Sequence, residues 1–125
     1  MIKIAYQIDE MELRNGIKTL IIGFPVGYES LSDLFSSDIS VHSAKWYLDA
    51  IDRVISGSSN FEQFRGNACR LEIFSDTTNV INYLFENIED NHLYSFKCSI
   101  STMFLKKLIQ EWVKELEIFE SKTSS

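Results

Sequence analysis

Apolar and polar residues alternate at the start of the chain. Ile2, Ile4, Tyr6 and Ile8 are separated by Lys3, Ala5 and Gln7, and a period of two predicts a half-buried strand. Residues 9–16 are polar and end in Asn15-Gly16, a turn signal. Ile17, Leu20, Ile21, Ile22 and Phe24 predict a second strand, so residues 2–24 read as a hairpin. Pro25 and Gly27 close it, because proline cannot donate to a ladder. Residues 28–42 are rich in Ser and Asp, with one helical turn expected around Leu31, Leu34 and Phe35.

A helix is predicted next. Ala44, Tyr47, Leu48, Ile51, Val54 and Ile55 recur at three- and four-residue steps and form one apolar stripe. Ser43 is the expected N-cap and Gly57 the C-terminal stop. Lys45, Asp49 and Arg53 stand at i,i+4 spacing on the polar side. Residues 58–67 read as a connector anchored by Phe61 and Phe64. From Ala68 the period returns to two, with Cys69, Leu71 and Ile73 on one face. Residues 75–79 are expected to turn, residues 80–85 to form a central strand, and residues 87–91 to turn again. Tyr94, Phe96, Cys98 and Ile100 alternate in a last strand. Ser101 opens a final helix whose stripe is Phe104, Leu105, Leu108, Ile109, Trp112, Leu116 and Phe119.

The expected fold class is therefore α+β. An antiparallel sheet of about five strands, in the order ββ-α-βββ-α, carries two amphipathic helices on one face. Residues 1–120 form a single domain and 121–125 a frayed tail. The length of 125 residues suits one domain.

Charge narrows the function. Twelve Lys and Arg against 18 Asp and Glu leave −6, which repels nucleic acid and anionic membranes and favours a basic partner. The densest basic spot, Lys106-Lys107, is followed by Glu111 and Glu115. No apolar run approaches the roughly 20 residues of a membrane span, and the first residues lack the layout of a signal peptide. Cys69 and Cys98 are expected as reduced, buried thiols of a cytoplasmic protein.

Catalytic chemistry is hard to assemble. Zinc needs about four ligands, usually in close pairs, and Cys69, Cys98, His42 and His92 are scattered. No Gly-x-Ser-x-Gly elbow or phosphate-cradling loop occurs. Asp49 and Asp52 lie on a helix face with Lys45 and Arg53, an ordinary solvated pattern. The expectation is no enzyme, no metal, no cofactor and no small-molecule substrate. A small hydrolase or nuclease using His92, and an oligomer subunit or adaptor, are the alternatives.

Acidic residues cluster instead. Asp9, Glu10 and Glu12 fall in the first turn, and Glu86, Glu89 and Asp90 in the last inter-strand turn. Glu111, Glu115, Glu117 and Glu120 gather towards the end of the final helix. Such groups can mimic phosphates for a nuclease; they are also what polar turns ordinarily contain. Tyr28, Trp46, Tyr83 and Phe85 are hard to place inside. Tyr28 and Trp46 are candidate interface anchors, with packing under the 28–42 segment as the other reading of Trp46.

Four stretches together resemble a known family. They are the hairpin at 2–24, the helix Ser43-Ala44-Lys45-Trp46-Tyr47-Leu48-Asp49-Ala50-Ile51, the strand Cys69-Arg70-Leu71-Glu72-Ile73-Phe74 and the final helix at 104–119. The chain resembles the immunity proteins of bacterial contact-dependent growth inhibition. The resemblance implies a cytoplasmic protein that binds the C-terminal toxin domain, often a basic nuclease, of a large secreted effector. The family has no shared binding motif, so it assigns no residue. Partner binding is expected through Asp9, Glu10, Glu12, Glu86, Glu89 and Asp90 as steering charges and through Tyr28 and Trp46 as anchors.

Overall fold

The computed structural model describes residues 4–86 and 95–123. Its elements are β1 (Gln7–Glu12), β2 (Lys18–Gly23), α1 (Glu29–Asp33), a π-helical turn (Leu34–Asp38), α2 (Ala44–Ser56), β3 (Glu62–Arg65), β4 (Cys69–Ile73), β5 (Thr77–Asn82), β6 (Lys97–Ser101) and α3 (Thr102–Thr123). The fold is α+β, as expected, but its strands are divided. β1 and β2 form a two-stranded antiparallel sheet, and β3-β4-β5-β6 form a four-stranded antiparallel meander. Among the described residues, six strands in two sheets therefore replace the expected single sheet of five, and the helical turn expected around Leu31 is the short helix α1.

The larger sheet has one buried and one polar face. Cys69, Leu71 and Ile73 on β4 meet Asn82, Val80 and Thr78 on β5 in register, and all six are buried. α2 packs on β3 and β4, while α1 and α3 pack on β5 and β6. The core they enclose includes Leu31, Phe35, Tyr47, Ile51, Leu105 and Ile109. The opposite face carries Arg70, Glu72, Asn79 and Ser99. They are tied by Asn79 Nδ2 donating to Glu72 (3.1 Å) and Ser99 Oγ donating to Asn79 (2.6 Å).

Several boundaries differ from the sequence reading. β1 runs through Asp9–Glu12, the stretch expected to turn, because pairing with β2 continues to Glu12↔Lys18. The expected connector at 58–67 contains β3, an edge strand whose Phe64 stacks on Tyr47 with centroids 4.2 Å apart. The turn expected at 75–79 shrinks to Ser75 and Asp76. Phe74 N–H donates to the Thr77 carbonyl across it (2.9 Å), and β5 ends at Asn82 rather than Phe85. Gly57 ends α2 in the left-handed conformation, φ 84°. Ser43 precedes α2 but makes no side-chain cap. Its hydroxyl instead donates to the Asp38 carbonyl (2.7 Å), locking the preceding turn. Arg53 leaves the α2 surface to pair with Glu62 on β3 (2.7 Å).

The Ser- and Asp-rich segment is part of the interior. Ser30 is fully buried and its hydroxyl donates to the Val80 carbonyl (3.0 Å). Asp38 is buried too. Its carboxylate accepts the backbone N–H groups of Ala68 (3.0 Å) and Cys69 (2.8 Å), clasping the π-helical turn to the start of β4. Cys69 and Cys98 are buried free thiols, and burial pushes both thiols up from their ordinary range.

Candidate functional site

The β1–β2 hairpin is built by a three-residue turn. Gly16 takes φ 81°, which glycine adopts without a Cβ penalty. Asn15 Oδ1 accepts the Ile17 N–H (3.1 Å), and Leu13 N–H donates to the Ile17 carbonyl (2.7 Å). Side chains of opposed residues share a face and the faces alternate. The register therefore puts Ile8, Ile22 and Leu20 on one face with Glu10, Glu12 and Lys18. Ile21, Met11, Asp9 and Thr19 lie on the other. Ile22 is buried, and Ile8 and Leu20 pack against the core. Asp9, Glu10 and Glu12 are all exposed.

Acidic side chains of α3 meet the foot of this hairpin. Tyr6 stacks between Phe24 and Phe104, with centroids 6.1 and 6.4 Å away, and its hydroxyl donates to Glu111. That hydrogen bond, with burial and the carboxylate charge, pushes the phenol up to about 12. A pocket of about 470 Å³ is lined by Tyr6, Gln7, Ile8, Glu111 and Glu115. Asp9, Glu10 and Glu12 follow along the strand, Asp9 on one face and Glu10 and Glu12 on the other.

The remaining candidates sit elsewhere. Glu86 is bound within the molecule, its carboxylate 2.8 Å from Arg70 across the polar face of the larger sheet. The Arg70 hydrogen bond, helped by Arg65 and Lys97, holds Glu86 below the usual carboxylate range. Tyr28 is half-buried and lines a groove of about 510 Å³ with Ile4, Thr77, Ser99 and Phe104. Trp46 stands on α2 with 58% of its surface exposed, so it does not pack beneath the 28–42 segment. Glu89, Asp90 and His92 lie outside the described residues. Of the expected residues that are described, Asp9, Glu10 and Glu12 share one element.

Sequence reasoning missed an apolar strip on the hairpin. Met11, Leu13, Ile17 and Ile21 are all exposed. Their signal was the alternation 11, 13 on one strand, in a stretch read as polar, and 17, 21 on the other, where Ile17 opposes Leu13 and Ile21 opposes Asp9. Among the described residues, no group of three or more His, Cys, Asp or Glu side chains is placed to hold a metal ion, and no helix is long and apolar enough to cross a membrane.

No family model matches the chain, and no solved structure matches it. It is 30% identical over 108 residues to an immunity protein of Bacillus cereus, and the alignment covers 86% of each chain. With that identity over most of both lengths, the chain belongs to the bacterial immunity proteins.

Proposed function

We propose that the protein binds and neutralises the C-terminal toxin domain, a basic nuclease, of a contact-dependent growth inhibition effector. It does so in the cytoplasm of the producing cell and performs no chemistry of its own. The observation that carries this reading is the run of carboxylates along the hairpin and at its foot. Glu111 and Glu115 border the foot of β1, and Asp9, Glu10 and Glu12 follow along that strand, Asp9 on one face and Glu10 and Glu12 on the other. Exposed carboxylates concentrated on one hairpin of a chain of net charge −6 draw in a basic partner before contact. Kinship with an immunity protein supports the inhibitory role.

Titrating the folded chain into the nucleic-acid cleavage reaction of the cognate toxin domain tests the proposal. Cleavage falls to zero at one equivalent. Undiminished cleavage in excess chain overturns the proposal. Association also slows as salt rises. Asp9→Asn with Glu12→Gln reduces the association rate about tenfold while dissociation changes little, as expected for rim charges. Association that is insensitive to salt removes the steering role.

A further inference from the structure

The helices turn most of their large apolar side chains inward, with Trp46, Ile55, Met103 and Ile118 exposed on α2 and α3, whereas the hairpin divides its own between two faces. Ile8, Leu20 and Ile22 point into the body. Met11 and Ile21, and beyond them Leu13 and Ile17 at the turn, occupy the alternate positions and face away. Exposure runs from 38% at Ile21 through 41% at Leu13 and 42% at Met11 to 58% at Ile17. These side chains span the rungs between the Asp9–Ile21 pair and the turn, a strip about 14 Å long at the usual rise per residue. Elsewhere, Phe61 and Phe74 lie against one another at 4.9 Å, and Trp46 is exposed on α2. A contiguous apolar strip rimmed by polar groups marks an interaction surface. A two-stranded ribbon also gains little stability by itself, so an extended hairpin tip benefits from being covered.

Charge specifies the occupant. Asp9 is the charged residue that shares the strip's face within the paired strands; Glu10, Glu12 and Lys18 occupy the other. A second copy of this chain would bring −6 against −6. A basic protein surface meets no such opposition.

We propose that the outward face of the β1–β2 hairpin, formed by Met11, Leu13, Ile17 and Ile21 with Asp9 at its edge, is the anchor the toxin domain buries. The complementary surface is an apolar cluster bearing a Lys or Arg opposite Asp9. This rests on the toxin-binding reading above and assigns its contact surface. The carboxylates of the hairpin and its foot speed encounter and the strip holds the complex.

The probe is the purified C-terminal toxin domain of the cognate effector. Met11→Thr with Ile21→Thr removes apolar area while keeping residues that suit a strand. Expected is a Kd at least about 100-fold weaker, through faster dissociation, as when central anchors are truncated, with the thermal midpoint kept. Asp9→Lys weakens binding as well. In the wild-type complex, amide exchange slows across residues 7–23. Variant affinity within threefold of wild type, when wild type binds tightly, overturns the strip as anchor and leaves the toxin-binding reading standing. Failure of the wild-type chain to bind the domain overturns both. A wild-type dimer that the double variant dissolves, with toxin affinity unchanged, assigns the strip to a second copy and overturns the proposal.

Discussion

Asp38→Ala lowers the thermal midpoint by roughly 10–20 °C. The Asp38 carboxylate divides its two oxygens between the Ala68 and Cys69 N–H groups, at 3.0 and 2.8 Å, across 30 residues of sequence. It lies in the interior, where alanine would leave both donors without an acceptor and without water. A hydrogen bond to a charged group contributes about 1.5–3 kcal/mol, and an orphaned buried donor costs a similar amount. The loss is then about 3–5 kcal/mol, and each kcal/mol is a shift of about 4 °C at this chain length. Asp38→Asn retains one acceptor and loses about half as much. Gly66 provides an independent check, because a Cβ there would stand 2.6 Å from the Asp38 carboxyl carbon and 2.7 Å from the Tyr47 hydroxyl. Gly66→Ala therefore pushes the same clasp apart. Urea and thermal unfolding measure both variants. An Asp38→Ala midpoint within about 3 °C of wild type contradicts the clasp.

Trp112→Ala is expected to cost about 4–5 kcal/mol, at the upper end for truncating a buried aromatic. Trp112 is 3% exposed, and its indole meets Phe35 edge to face at 6.1 Å. Its Nε1–H also donates to the Ile39 carbonyl at 3.1 Å. One side chain thus fastens α3 to the segment between the π-helical turn and α2. The two contributions are separable. Trp112→Phe preserves much of the ring packing but leaves the Ile39 carbonyl without its donor, at about 1–3 kcal/mol. Denaturant unfolding of both variants resolves the difference. Equal losses would mean that ring packing contributes nothing beyond the hydrogen bond.

The long periodic elements were legible in the sequence because their patterns repeat. The α2 and α3 stripes each rest on several turns, and the structure keeps them and the Gly57 stop, except that Ile55 of the expected α2 stripe is exposed. β4 was legible from Cys69, Leu71 and Ile73. β3 was not, since four residues at a sheet edge with one half-buried aromatic make no pattern that distinguishes strand from loop. β1 was placed too early because Asp9–Glu12 has the composition of a turn. Cross-strand pairing with β2, rather than the polarity of those residues, decides their conformation. Asp38 looked like one more polar residue in a Ser- and Asp-rich stretch, because its partners lie 30 residues away.

The candidate site was legible in part for the same reason. Composition revealed abundant acid, but only the fold brings Glu111 and Glu115 to the foot of β1. The fold also neutralises Glu86 with Arg70, a partner 16 residues earlier. Trp46 could be suspected from its place off the α2 stripe, and it is exposed. The strip at Met11, Leu13, Ile17 and Ile21 went unseen because a face is visible only once the register is known.

The protein's role as an inhibitor is tested most directly inside cells. When the C-terminal domain of the cognate effector is produced alone, growth is expected to stop. Producing this chain with it restores growth, and the two proteins purify together as a one-to-one complex. Growth that stays arrested while the folded chain accumulates to excess contradicts the account.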